Sequence, residues 1–304
     1  MSIEIIGPEA EAYLDWTALS DALEAGHLLP RAEVGDTLLY RGKDTLLTRS
    51  AWIDGMGLAV KAATIYPDNH LRGLPNLNGA VALFSDGDGL PEAYIDFALL
   101  TKWKTAADSL LAARKLARPE ARDILIVGAG TVARSMVQAY GAAFPDARFT
   151  VWTRSADSAR AFAKATGATV ADDLESAVRH AGIIATATMA REPLIKGAWL
   201  QPGTHLDLIG AYTPDMREAD SDCFVRARVF VDARATTLHH IGELMVPLAE
   251  GAISEAEVLA DFYDIAAGDF SRLSDDDITM SKNGGGAHLD LMTARYILSA
   301  WRDR

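Results

Sequence analysis

The chain has 304 residues, 49% of them apolar, which is enough for two packed domains. A formal net charge of −13 argues against a nucleic-acid partner, because proteins that bind a phosphate backbone concentrate positive charge. No apolar run approaches the roughly 18 residues of a membrane span, and the lone cysteine, Cys223, leaves neither an intramolecular disulfide nor a thiolate metal cluster. The opening MSIEIIGPEAEAYLDW has early acids and no basic segment ahead of an apolar one, unlike a secretory leader. The expectation is a cytoplasmic enzyme with a small-molecule substrate, no nucleic acid, no membrane and no bound metal.

In chain order, DTLLTRSAWI (44–53) and LAVKAATIYP (58–67) are β-type runs separated by DGMG. NGAVALFSDGDGLPEAYIDF has the pattern of a hairpin turning at Asp86-Gly87-Asp88-Gly89. In TKWKTAADSLLAARKLA, Trp103, Ala106, Ala107, Leu110 and Leu111 recur at helical spacing, which predicts a helix with one buried face ended by Arg118-Pro119. From Asp123 the rhythm changes. ILIV, FTVW, GIIATAT, HLDLIG and RVFVD suit buried parallel strands, and SARAFAKAT and DLESAVRHA supply helices between the earlier ones. The expected fold class is α/β: a Rossmann-type doubly wound nucleotide domain inserted into a mixed α+β domain. The insert spans 119–283, and the other domain is built from 1–118 plus 284–304, the last segment being the helix after ITMSKNGGG.

Gly128-Ala129-Gly130-Thr131-Val132-Ala133 matches GxGxxA between a strand and a helix. The first glycine permits the tight turn, the second lets a pyrophosphate approach the backbone, and the small sixth residue allows close packing. Free N–H groups at a helix start attract phosphate. The next strand ends Trp152-Thr153-Arg154-Ser155 without the acid that would bind a ribose 2′-hydroxyl. Arg154, flanked by Thr153 and Ser155, suits a 2′-phosphate, so NADP(H) is expected in preference to NAD(H).

VKAATIYPDNHLRGLPNLNGAVALF, TKWKTAADSLLAARKLARPEARDILIVGAGTVARSM, TATMAREPLI and ITMSKNGGGAHLDL together resemble the ornithine cyclodeaminase/mu-crystallin family over nearly the whole chain. The resemblance implies a substrate-binding and dimerisation domain from both chain ends, hence a homodimer, and a substrate that is an α-imino or α-amino acid. It matches Lys61 to the family's strand lysine and Lys104 to the site of an arginine in many members, and it nominates Arg41 as an upstream carboxylate-binding arginine. Asn78 is a further substrate-binding candidate in the same signature. Thr186, Ala187 and Thr188, in TATMAREPLI, join Gly128, Ala129, Gly130, Thr131 and Val132 as cofactor contacts.

After the fifth nucleotide-domain strand, cyclodeaminases and alanine dehydrogenases of the family carry a catalytic aspartate in a GADTPGKREL-like segment. Here it reads Gly210-Ala211-Tyr212-Thr213-Pro214-Asp215-Met216-Arg217-Glu218. Tyrosine, with an ordinary pKa of about 10, is a poor base at neutral pH, whereas reduction of a preformed imine needs a proton donor rather than a base. The favoured reading is NADPH-dependent reduction of Δ1-pyrroline-2-carboxylate to proline, with the piperideine homologue also admitted, Lys61 and Tyr212 at the reacting centre and His288 polarising substrate or water. Two alternatives stay open: a cyclodeaminase or alanine-type dehydrogenase in which Asp215 or a water chain replaces the missing base, and a nucleotide-regulated binding protein of the mu-crystallin kind.

Overall fold

The computed structural model describes residues 3–304. The chain begins with β1 (Glu4–Ile6), α1 (Trp16–His27), β2 (Glu33–Arg41), β3 (Asp44–Ile53), β4 (Gly57–Ile65), β5 (Leu77–Phe84), β6 (Pro91–Asp96) and α2 (Phe97–Leu116). There follow β7 (Asp123–Val127), α3 (Thr131–Ala143), β8 (Arg148–Trp152), α4 (Ala156–Thr166), β9 (Thr169–Val170), α5 (Leu174–His180), β10 (Ile183–Thr186) and β11 (His205–Leu208). The last elements are α6 (Ser221–Arg226), β12 (Arg228–Val231), α7 (Arg234–Thr237), α8 (Gly242–Ala249), β13 (Val258–Ala260), β14 (Thr279–Lys282) and α9 (Ala287–Arg302).

Two compact units emerge, Met1–Thr105 with Gly286–Arg304, and Ala106–Gly285. The expected boundary was 118/119; the first division here falls at 105/106, inside α2, which runs unbroken to Leu116. The expectation of one buried face on α2 also changes. Ala106 to Ala113 are buried on every side, since alanine and serine let neighbours approach from all directions.

In the first unit the sheet order is β1-β6-β5-β4-β3-β2, antiparallel throughout except for β1 beside β6. Side chains alternate across a sheet, so the register puts Arg49, Lys61, Val81 and Ile95 on one face. Ala51, Ile53, Ala59 and Ala63 share that buried face, which packs on α9. Gly79 is required here, because a Cβ would meet the Ala62 carbonyl at 2.2 Å.

In the second unit the strands are all parallel, in the order β13-β12-β14-β11-β10-β7-β8-β9. The chain leaves β7 towards β8 and returns to β10 on the other side, so the β7/β10 border is the switch point where ligands of such sheets bind. At the sheet centre Asp207 is fully buried. Tyr140 donates its hydroxyl to Oδ2 at 2.8 Å, and Ser281 and Asn283 donate to Oδ1 at 3.0 and 3.1 Å. Burial pushes the Asp207 carboxyl up to about 6, and the Tyr140 hydrogen bond pulls it back down.

A carboxyl raised in the folded state contributes stability at low pH that is lost as pH rises through its folded pKa. Tyr140→Phe removes a donor to the charged form, so its penalty, about 1–3 kcal/mol for an unsatisfied buried group, should grow with pH. Thermal unfolding of the two proteins at about pH 5 and about pH 8 checks this. A larger gap at the higher pH is expected, and an equal gap at both would contradict it.

Candidate active site

The first unit concentrates buried charge around Lys61. β4 is half apolar by alternation, so its inward positions should carry side chains such as those of Ala59 and Ala63, yet Lys61 stands between them and is only 7% exposed. Its Nζ donates to Asp290 Oδ1 at 2.7 Å and lies 5.7 Å from the Phe97 ring centroid. Asp290 sits in the first turn of α9, where a carboxylate complements the helix dipole. Its other oxygen, Oδ2, is buried and has no hydrogen-bond partner among the described residues.

Arg49 lies directly across from Lys61 on β3, and Lys104 of α2 is as buried as Lys61. Burial pushes the Lys61 ammonium below its ordinary pKa; Asp290 opposes that shift, and the charges of Lys104 and Arg49 add to it. Asp36 takes Nε and one terminal nitrogen of Arg49 at 2.8–3.1 Å. Lys104 forms no ion pair among the described residues. His288, two residues before Asp290 in the same first turn of α9, stacks edge-on against His27 with ring centroids 5.5 Å apart. Burial, then the neighbouring positive groups His27, Lys104, Arg49 and Arg31, hold it well below its usual pKa, so it is neutral. Like charges opposite one another in a sheet are destabilising unless something offsets them. The cluster is therefore chemically suited to an anion.

Two expected carboxylate-binding residues are not in this cluster. Arg41 ends β2 in register with Asp44, five residues from Arg49 along β3, which is about 17 Å and on the opposite sheet face. It is exposed and paired with Asp44 at 3.0 Å. Asn78 is in register with Thr64 and likewise faces away from Lys61, its side chain donating to the Pro75 carbonyl at 2.9 Å. The resemblance nominated Arg41, whereas the register of the strands puts Arg49 beside Lys61.

In the second unit the glycine turn fits a dinucleotide. Gly128 has φ +115°, and a Cβ there would meet the Ala187 carbonyl at 2.5 Å. A Cβ on Gly130 would meet nothing within 4 Å, so the turn is open where a pyrophosphate would approach. Gly130 caps α3 without any side-chain hydrogen bond, which leaves the first N–H groups at Thr131 and Val132 to an anion. Ala133 is fully buried, as close helix packing requires. Ala129 is half-buried in the turn. Arg134, exposed on the first turn of α3, is a cation the motif reading passed over.

Arg154 is exposed beyond β8 and forms no ion pair among the described residues, with Thr153 beside it. Ser155 accepts the Ser158 amide as the cap of α4. Thr186 is buried, its hydroxyl 3.4 Å from the Asp207 carbonyl, and Ala187 supplies the carbonyl that crowds Gly128. Thr188 gives both its amide and its hydroxyl to Glu218.

Tyr212 follows β11 on a loop whose Ala211 and Met216 are buried with Ile241, while Tyr212 itself is 61% exposed. Asp215 is exposed, bonded by the Thr213 hydroxyl and paired with Arg191 at 3.1 Å. The Thr213 bond, then Arg191, hold it below the usual carboxylate range, which suits it poorly to act as a base.

Removing one partner of a buried ion pair typically costs about 3–5 kcal/mol, while replacing both with apolar side chains is often neutral. Lys61→Met alone should therefore destabilise the protein strongly, and Lys61→Met/Asp290→Leu should recover most of the loss in urea unfolding. Additive losses in the double variant would show that the pair carries no coupling.

Residues 51–304 match the ornithine cyclodeaminase/mu-crystallin family. A Δ1-pyrroline-2-carboxylate reductase of Paracoccus denitrificans is 50% identical over 296 residues, spanning 95% of this chain and 94% of its own. The structure of Thermococcus litoralis Δ1-pyrroline-2-carboxylate reductase in complex with NADH and L-proline is similar with a TM-score of 0.89 at 26% identity, over 99% of this chain and 98% of that one. An archaeal alanine dehydrogenase dimer with bound NAD has a TM-score of 0.89 at 26% identity, over 100% and 97% of the two chains. The chain belongs to the ornithine cyclodeaminase/mu-crystallin family.

Proposed function

We propose that the protein is a nicotinamide-dependent reductase of a cyclic imino acid, with Δ1-pyrroline-2-carboxylate as substrate and L-proline as product. The observation that carries this reading is the buried Lys61–Asp290 pair with Arg49 in register opposite and Lys104 close by. A carboxylate leaving water requires charge-assisted partners, and Arg49 and Lys104 are the groups assigned to it. Lys61 is the proton donor. Burial weakens its hold on the proton, and Asp290 keeps it charged until the imine nitrogen takes that proton. The reduced nicotinamide supplies the hydride to the imine carbon. The C=N π pair then becomes the lone pair of the amine nitrogen, and no catalytic base is needed.

That economy fits Tyr212, which would cover the ring or hydrogen-bond to it, and it disfavours the cyclodeaminase or alanine-type dehydrogenase reading, whose remaining candidate base, Asp215, is tied to Thr213 and Arg191. His288, held neutral, is assigned to polarising substrate or water. A buried Lys61 held by Asp290 as a proton donor, beside a second cation at Lys104, argues against a pure binding protein of the mu-crystallin kind.

NADP(H) is proposed over NAD(H) on the strength of Arg154 and Thr153, although the two similar structures hold NADH and NAD. A homodimer through the outer face of the first unit's sheet is proposed as well. That face presents Leu39, Leu46, Trp52 and Tyr94 to solvent, and one similar structure is described as a dimer.

Loss of nicotinamide absorbance with Δ1-pyrroline-2-carboxylate, and identification of proline as product, tests the reaction. Lys61→Ala should lower kcat/KM by about 10²–10⁴, the usual worth of a general acid. Arg154→Ala should erase a preference for NADPH; equal use of both cofactors by the wild type would refute that preference alone. Asp290→Asn provides the pH test. Asp290 raises the Lys61 pKa, so its loss should move the alkaline limb of the kcat/KM profile, where Lys61 loses its proton, to lower pH. A limb that stays put would remove Lys61 as the donor.

A further inference from the structure

The second unit contains a buried carboxylate that the reaction scheme leaves unused. Glu218 is fully buried at the end of the Tyr212 loop. Its Oε1 accepts both the amide and the hydroxyl of Thr188, each at 2.7 Å, and its Oε2 accepts the amide of Gly210 at 2.7 Å. Thr188 follows β10 and Gly210 follows β11, so one side chain ties together the loops at the carboxyl ends of two adjacent strands.

The fit leaves no slack. A Cβ on Gly210 would meet the Thr188 carbonyl at 2.2 Å and Glu218 Oε1 at 2.5 Å. One strand further on, the Ala187 carbonyl closes on Gly128 of the dinucleotide turn.

Glu218 is itself held. Glu243 of α8 accepts the backbone amides of Glu218 at 2.7 Å and Ala219 at 2.9 Å. The buried Lys282 supplies opposite charge to both acids while its ammonium donates to the Leu208 carbonyl at 3.1 Å and the Asn283 carbonyl at 2.6 Å. Gly242 pins the middle of the loop: its amide donates to the Thr213 carbonyl at 3.0 Å, and a Cβ there would meet the Pro214 carbonyl at 2.4 Å.

From this geometry we infer that Glu218 is a positioning residue for hydride transfer: it acts through Thr188 and Gly210 to fix the Tyr212 loop against the end of β10. The inference rests on the reductase reading for its catalytic consequence, but the clasp itself is a property of the loops. A misplacement of about 1 Å can cost about 10²-fold in rate without touching the reacting atoms.

Glu218→Gln keeps the shape but turns an N–H towards a backbone donor, either that of Thr188 or that of Gly210. Glu218→Asp keeps the charge but cannot span both partners. Hydrogen exchange on the full-length protein reads the clasp without any substrate. In Glu218→Gln, exchange should rise about tenfold or more in 186–190 and 208–217 while β7 and α3 keep their protection; Glu218→Asp should be intermediate.

In turnover at saturating nicotinamide cofactor, kcat should fall about 10- to 100-fold in Glu218→Gln, with partial rescue in Glu218→Asp. Unchanged exchange in both segments overturns the inference. So does exchange that rises everywhere, with activity falling only in step with global unfolding. A wild-type protein that does not reduce the imine would sink the reductase reading, and the exchange data would still decide the clasp.

Discussion

A lysine and an aspartate buried against each other, with two further cations nearby, set the terms for the first unit. Lys61 is paired with Asp290 and Arg49 with Asp36, and Lys104 on α2 adds a further positive charge beside them. Burying such groups is expensive, and a buried ion pair rarely repays its desolvation by itself. A fold that was only maximising stability would place apolar side chains at 61 and 290, as it does at 59, 63 and 291. On the proposed reading the charge is retained because it holds an anion and lends it a proton. The sheet's alternation, the packing of α9 on its inner face and the glycine-rich approach to that helix all serve to keep Lys61 and Asp290 within 2.7 Å.

The second unit solves a different problem, which is to bring backbone close to backbone around a turn that fits a dinucleotide. Gly128, Gly210 and Gly242 each stand where a methyl group would strike a carbonyl oxygen. Packed that tightly, the loops have amides that no strand can satisfy, and carboxylates take over the role. Glu218 serves Thr188 and Gly210, Glu243 serves Glu218 and Ala219, and Asp232 accepts from Gly284 and Gly285 at 3.0 and 2.6 Å. Lys282 neutralises the set from within the sheet. Tyr212 and Thr188 are thereby carried on a frame rather than on loose loops.

Much of this was legible in the sequence. The apolar runs at 124–127, 149–152, 205–208 and 228–231 are strands, and the glycine turn sits where its spacing predicts. β14 escaped because Thr279-Met280-Ser281-Lys282 does not look like a buried strand, although it lies between β11 and β12 and is wholly buried. Its polar residues are there to bond Asp207 and to counter Glu218 and Glu243, partners that are distant in sequence. Arg49 was missed for a similar reason. The β3–β4 register across the turn at 54–56 pairs Arg49 with Lys61, and the β2–β3 register puts Arg41 on the other face. Glu218 stood within the quoted motif, but its partners at 188 and 210 meet it only once the strands are ordered.

On this reading the charge around Lys61 is there to hold a carboxylate. The most direct measurement is calorimetric binding of pyrrole-2-carboxylate and of pyrrole-2-carboxamide, in the presence of reduced cofactor, to the wild type and to Arg49→Met. The carboxylate should bind, the neutral amide of the same shape should bind at least about tenfold more weakly, and Arg49→Met should remove most of that difference, as expected for a charge-assisted contact. Equal affinity for acid and amide, or discrimination unchanged in Arg49→Met, would contradict it.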